Sequence, residues 1–272
     1  MKHPSLCLVT CFLSTVLILS SCQTEQQLAA DDSWPPLPQK IIDLSPMITE
    51  DLPVRTWGHK LLSDFGFRDT NEFEYVISEN PFHVMNSYWT LFNHGGAHLD
   101  APNHMEKGAQ SVDEIRLEEL IGPARLLDFR SKPRDEAIPL EEIRQTGIRA
   151  GEIAMLMVGY TPPSGDNELP SYPYLSQEAA EYLATLPVKA FATDAFSVES
   201  VARMYEAMAA GVTGYEGMAP LHRTFLTREI PLFEALENLE GLVGLGDFVF
   251  VGFPLKVKGS DGSPIRAAAL FY

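Results

Sequence analysis

His94-Gly95-Gly96-Ala97-His98-Leu99-Asp100-Ala101-Pro102-Asn103-His104 gathers three of the chain's seven histidines and a carboxylate into one short run. His94, His98, Asp100 and His104 all fall on even positions, so an extended backbone would aim them at one face. A straight strand rises about 3.3 Å per residue and would hold His94 and His98 roughly 13 Å apart. That is too far for two ligands of one ion, whose bonds are about 2 Å long. A helix would also bring His94 and His98 together, one turn apart, as in zinc proteases that carry His-Glu-x-x-His on a helix. The two glycines before His98 and the proline after it each weaken such a helix by about 1 kcal/mol or more, and no Glu follows His94. The stretch reads as a bent strand leading into a loop, with Gly95-Gly96 allowing the bend.

Imidazole and carboxylate together suit zinc or manganese, and a carboxylate can bridge two ions. A divalent ion lowers the pKa of bound water towards about 7 and polarises a carbonyl oxygen, which supplies a nucleophile without Ser or Cys. His104 could stay unligated and move a proton between water and a leaving group. The alternatives are histidines merely hydrogen-bonded in the core, or a structural metal. A single His would be read that way; three beside Asp100 favour a working metal site.

Outward from this run, strand-like and helix-like stretches interleave. Lys40–Leu44, Ala124–Phe129, Ile153–Tyr160, Val188–Thr193, Phe248–Pro254 and Ile265–Phe271 are short, apolar and bounded by Gly, Pro or charge, as strands are. Val112–Leu120, Leu140–Thr146, Gln177–Ala184, Val198–Ala210 and Pro231–Leu239 read as helices, with Ser176 as an N-cap and Pro231 in a first turn. Interleaving of this kind predicts an α/β domain with a mixed sheet. Pro162–Asn167 reads as a surface loop.

The ends read differently. Lys2, an apolar stretch from about Leu6 to Leu19 and small residues before Cys22 have the form of an export signal over residues 1–21. The stretch is too short and too interrupted for a comfortable membrane span. Leu19-Ser20-Ser21-Cys22 resembles a bacterial lipobox, which makes Cys22 the lipidated first residue of the mature chain. An ordinary signal cut near Ser21 and an uncleaved anchor are the alternatives. Gln23 in place of Asp favours an outer-membrane anchor facing the periplasm in a Gram-negative cell, or otherwise the outer face of the cell membrane. Residues 22–38 form a tether, polar and then Pro-rich, and 39–272 a single domain.

With all three cysteines at or before position 22, the folded part has no thiol for a disulfide, a nucleophile or a Cys-type zinc site. The formal charge of −17 argues against nucleic acid and against electrostatic docking on anionic lipid. It leaves a small-molecule substrate open.

His94-x-Gly96-x-His98-x-Asp100-x-Pro102-x-His104 is similar to the His-x-Gly-Thr-His-x-Asp-x-Pro-x-His motif of the putative cyclase family, whose best-known member is bacterial kynurenine formamidase. The resemblance continues through Ile42–Ser45, Leu120–Ala124, Thr193–Ser197 and Asp261–Ala267. It implies a swivelling β/β/α domain, usually a dimer or tetramer, and a two-metal centre. By that resemblance His94, His98 and Asp100 bind one ion, Asp100, His222 and Glu234 the other, and His104 is the acid/base. Zinc is favoured over manganese. Without the resemblance, His222 reads as an ordinary residue and Glu234 as a helix-face charge.

Three departures stand out: Ala97 replaces the family Thr, Met105 stands where many relatives carry Phe, and Pro53–Gly58 aligns poorly with the family's Pro-Val-Trp-Pro-Gly. Trp57 is thus a weak candidate for an aromatic wall against the substrate. The implied activity is hydrolysis of a small amide or formamide. Opening of a cyclic amide or lactone, as in isatin hydrolase, is the alternative, and a non-catalytic lipoprotein that binds metal or ligand is the alternative of another class.

Overall fold

A computed structural model of the 272-residue chain describes residues 35–272. The expected export signal, Cys22 and the expected tether up to residue 34 lie outside the described residues. The strands are β1 (Lys40–Asp43), β2 (Glu72–Ser78), β3 (Val84–Thr90), β4 (His98–Asp100), β5 (Ile121–Asp128), β6 (Ala137–Ile138), β7 (Ile153–Met157), β8 (Tyr174–Leu175), β9 (Ala190–Thr193), β10 (Leu232–Glu234), β11 (Phe248–Pro254) and β12 (Gly262–Phe271). The helices are α1 (Leu52–Trp57), α2 (His59–Phe65), α3 (Leu140–Gln145), α4 (Gln177–Thr185), α5 (Val201–Ala209), α6 (Tyr215–Met218) and α7 (Pro220–Leu226). No helix among the described residues is long and apolar enough to cross a membrane.

Eight strands form one sheet in the order β1-β12-β11-β5-β7-β9-β10-β4, and β4 pairs with β12 as well, so the sheet closes on itself. The run β5-β7-β9-β10 is parallel, while β11, β12, β4 and β1 join antiparallel. This is the mixed α/β architecture that the interleaved pattern predicts. Both faces are covered: Ile153, Met155 and Met157 of β7 pack with Leu99, Phe233 and Phe250, while Ala154 and Leu156 face Leu183 of α4 and Phe225 of α7. Burial on two faces is why β7 is an unbroken apolar run without alternation.

All six expected strands exist, with ends that differ for local reasons. β7 stops at Met157 because the amides of Val158, Gly159 and Tyr160 turn to the carboxylate of Asp194, at 2.7, 2.8 and 3.4 Å. α4 begins where Ser176 accepts from the amide of Ala179.

Two expected helices are corrected. In Val112–Leu120 only a 3-10 turn forms, at Leu117–Glu119, because Ser111 binds Asp113 and Glu114 locally and the amide of Val112 goes to the carbonyl of Ser260. Pro231–Leu239 is not helical either. Leu232–Glu234 is strand β10, wedged between β9 and β4, and the left-handed residues Ala235 and Asn238 turn the chain behind it. Its side chains are buried throughout, and that tertiary pairing overrides helix propensity. The β2–β3 hairpin and helices α1, α2 and α7 lie outside the elements expected from the sequence.

Burial raises the Asp194 carboxyl to about 6, with the three backbone amides opposing the shift. A folded value above the ordinary 3.8 means that protonation favours the folded chain. That contribution is complete below about pH 4 and is lost as the pH rises through about 6. Because the carboxylate keeps some contact with water, the wild type should lose about 2 kcal/mol relative to Asp194→Asn between pH 4 and 7. Urea unfolding at both pH values measures this, and parallel pH profiles would contradict it.

Candidate metal centre

Strand β4 holds the centre. Its residues His98 and Asp100 point to one side, and Leu99 points into the core with no exposed surface. Across one edge, His98 lies opposite Glu234; across the other, Asp100 lies opposite Gly262. Register therefore sets Glu234 beside His98 on the same face.

His94 sits in the turn before β4, as the expected bend requires. Gly96, with φ +70, makes that bend, and a Cβ there would stand 2.5 Å from Leu52. Gly262 gives the His94 ring its space: a Cβ at 262 would stand 2.5 Å from Cε1 of His94. His104 ends a 3-10 turn, Pro102–His104. His222 lies in the first turn of α7.

The geometry brings every expected site residue of the folded part to one cavity of about 320 Å³, Trp57 included. Asp100 is 2.7 Å from His94 Nδ1, 3.2 Å from His98 Nε2 and 3.5 Å from His222 Nε2. Glu234 is 3.6 Å from His98 Nε2 and 3.4 Å from His222 Nε2. Two groups have ligand atoms within 4.8 Å of one another: His94, Asp100 and His104, and His98, Asp100 and Glu234. Asp100 is common to both. The first group includes His104, so spacing by itself admits it as a ligand. The indole N–H of Trp57 donates to the carbonyl of His94 at 3.0 Å, and its ring packs among Phe67, Phe92 and Phe196. Trp57 thus both secures the start of the motif and lines the cavity.

Two site residues escaped the sequence reading. Glu199 is buried, and its Oε1 accepts from the amides of Leu221 and His222 at 2.7 and 2.8 Å and lies 3.3 Å from His222 Nδ1. It satisfies the start of α7, which has no side-chain cap of its own. Asp261, at the mouth, lies 2.9 Å from His104 Nδ1 and 3.1 Å from His94 Nε2. No local spacing ties either residue to the motif, since each arrives from a distant segment.

The hydrogen bonds also set tautomers. His98 Nδ1 must donate to the carbonyl of Gly96, 2.8 Å away. Its Nε2 is then left buried without a hydrogen-bond partner, with its lone pair directed at Asp100 and Glu234 when the ring is neutral. The His222 ring is oriented likewise, with Nδ1 3.3 Å from Glu199 and Nε2 3.5 Å from Asp100 and 3.4 Å from Glu234. A lone pair facing carboxylates is repulsive unless a cation lies between them, so these residues fit a metal ion. Among the described residues that line the cavity, none is Lys or Arg, although Asp100, Glu199, Glu234 and Asp261 all reach it.

With protons as the only balancing charges, burial opposes the His94 cation, but Asp100 and Asp261 outweigh it and raise His94 to about 10. His222 is raised well above its ordinary value for the same reason, chiefly by Glu234 against burial. Burial and Asp100 push Glu234 up to about 8. Asp100 is held low by the surrounding imidazoles despite complete burial. The hydrogen bonds from His104 and His94 hold Asp261 low as well.

Fold and site together define an α/β protein with a metal-capable cavity. The chain belongs to the family described as Putative cyclase, whose model matches residues 42–200, more than half of it. The kynurenine formamidase of Salinibacter ruber is 28% identical over 183 residues, 65% of this chain and 76% of that one. An isatin hydrolase bound to the product analogue thioisatinate superposes with a TM-score of 0.68 at 19% identity, over 85% of this chain and 92% of that one. Isatin hydrolase A from Ralstonia solanacearum gives 0.63 at 22%, over 86% and 92%. His222 and Glu234 lie beyond the residues matched by the family model, so their place in the centre rests on the geometry above.

A chelator should lower Tm by about 5–15 °C, since loss of a ligand present at 100 to 1,000 times its Kd removes about 3–4 kcal/mol. Asp100→Ala should abolish the difference between chelated and zinc-supplemented protein in thermal melts. An undiminished difference would show that Asp100 is not in the centre.

Proposed function

We propose that this chain is a metal-dependent hydrolase that cleaves the C–N bond of a small amide or formamide, as an arylformamidase does. The observation that carries it is the pair of buried imidazole nitrogens, His98 Nε2 and His222 Nε2, aimed at Asp100 and Glu234 beside a third imidazole held by Asp261. The names of the related proteins agree with this reading. His94, His98, Asp100, His222 and Glu234 would hold two divalent ions, with zinc favoured over manganese. Such ions supply an activated water and a polarised carbonyl oxygen.

The remaining work falls to the chain. Trp57, Phe67, Phe92 and Phe196 form a wall suited to a flat aromatic acyl-amine. Asp261 accepts the Nδ1 proton of His104, which leaves Nε2 to move a proton. As water adds to the carbonyl carbon and the C–N bond breaks, His104 takes a proton from the water and returns one to the leaving nitrogen, so the amide is converted to acid and amine. The aromatic wall also favours a second reading, in which the substrate is a flat cyclic amide of the isatin type. For such a ring the acid and amine stay in one product.

The proposed setting is the cell envelope, reached by export and lipidation at Cys22. Cys22→Ser should move the protein from the membrane fraction to the soluble fraction; unchanged fractionation would rule out the lipid anchor.

The direct test is metal analysis of purified protein followed by assay with N-formylkynurenine, isatin and simple lactones. His104→Ala should keep near-normal metal content while kcat falls about 10²–10⁴-fold. Unchanged turnover would remove His104 from the mechanism, and loss of metal would make it a ligand. Absence of hydrolysis of any amide by metal-replete protein would overturn the enzymatic reading in favour of a binding role.

A further inference from the structure

We propose that the cavity is a charge filter, which admits aromatic amides that are uncharged beyond the scissile bond and rejects those that carry a carboxylate there. The inference rests on the hydrolytic reading and narrows its substrate class. Away from the metal-capable end, the cavity is lined by Trp57, Phe65, Phe67, Phe92, Met204 and Met218. Among the described residues, no Lys or Arg lines it. An aromatic carboxylate seated on that wall would lose its water and meet no countercharge, and burying a charge without a partner is costly.

The lining lacks a cation although arginines stand close by in the chain. Arg55, Arg203 and Arg223 each lie within two residues of a cavity residue, respectively Trp57, Met204 and His222, and each is directed elsewhere. Arg55 pairs with Glu237 at 3.9 Å, and Arg223 with Glu106 at 3.7 Å. Arg203 lies 6.0 Å from the centre of the Tyr174 ring, in the wall of a neighbouring cavity. Successive residues of a helix point in different directions, so α5 presents Met204 to the site and Arg203 away from it. Side-chain donors are committed as well. The indole N–H of Trp57 donates to the carbonyl of His94 at 3.0 Å, and the Asn93 amide donates to Asp261 at 2.9 Å and to the carbonyl of Gly262 at 3.5 Å. Ser197 adds one neutral hydroxyl.

Charge acts in the same direction at the mouth and at the metal-capable end. Asp261, whose side chain is 44% exposed at the mouth, and the net charge of −17 repel an approaching anion. Asp100, Glu199, Glu234 and Asp261 are enough to match two divalent ions, so bound metal leaves no surplus positive charge for a second carboxylate. Volume is not the filter, because about 320 Å³ accommodates a ring with a small substituent whether or not that substituent is charged. A flat, uncharged cyclic amide therefore passes, whereas an amino-acid formamide, with its free carboxylate, does not.

The test compares meta-formamidobenzoate with meta-formamidobenzamide, which share size and shape and differ in charge, on the metal-replete full chain. For the carboxylate, kcat/KM should be at least about 100-fold lower. Met204→Arg and, at a position 41% exposed, Phe67→Arg each place a guanidinium on the wall. At least one of them should cut the carboxamide-to-carboxylate ratio of kcat/KM by at least about tenfold. Binding of the matching meta-ureido compounds, which have no formyl group to lose, is followed by calorimetry and should favour the carboxamide at least about tenfold. Equal kcat/KM for the two formamides, equal Kd for the two ureas, or a ratio that neither arginine variant moves would each overturn the filter. If neither formamide is hydrolysed while the ureas are still discriminated, the filter stands and the hydrolytic reading fails.

Discussion

Strand β4 is three residues long, and the rest of the site depends on its being paired on both edges. Between β10 and β12 it closes the sheet, so the positions of His98 and Asp100 follow from the geometry of the whole closed sheet and not from a loop. Leu99 holds the strand by its buried side chain, while its neighbours on either side face the cavity. A site built on paired strands keeps its donors in place before a ligand arrives, which is what preorganised metal chemistry needs. The cost of this arrangement appears at Gly262, where any side chain would collide with the His94 ring.

Electrostatics supplies the second constraint. Several carboxylates converge where, among the described residues, no Lys or Arg lines the cavity, and imidazoles and backbone amides stand against them. Gly96, Glu199 and Asp261 decide which nitrogen of His98, His222 and His104 carries the proton, and so which nitrogen faces the cavity. Such hydrogen bonds fix ring orientation and basicity. A divalent cation in such a setting displaces protons and adds its binding energy to the fold, so stability and metal occupancy are linked.

The segment from Thr193 to Ser200 ties the fold to this chemistry. Asp194 gathers the amides at the end of β7, the amide of Val198 donates to Glu234 at 2.6 Å, and Glu199 holds both the start of α7 and the His222 ring. Ser200 then caps α5. One loop thereby sets a strand end, the Glu234 carboxylate and two helix starts. A disturbance there would reach Glu234 and His222 through these hydrogen bonds.

Much of this was legible in the residues themselves. The spacing of His94, His98, Asp100 and His104, together with Gly95-Gly96 and Pro102, determined a bent, metal-capable segment, because backbone rise and glycine freedom are local properties. The apolar runs of β5, β7, β9 and β11 likewise marked buried strands. Without the family resemblance Glu234 reads as a helix-face charge, because three residues between turn-formers carry no strand period of their own. The partners of β10 lie in β4 and β9, far away in the chain, and only the folded structure brings them together. Glu199 and Asp261 were invisible for the same reason: a carboxylate becomes a partner of histidine through proximity in space. The sequence alone determined which chemistry the chain could perform; the tertiary structure decided which nitrogens and oxygens face one another, since that depends on pairings across more than a hundred residues that no local pattern encodes.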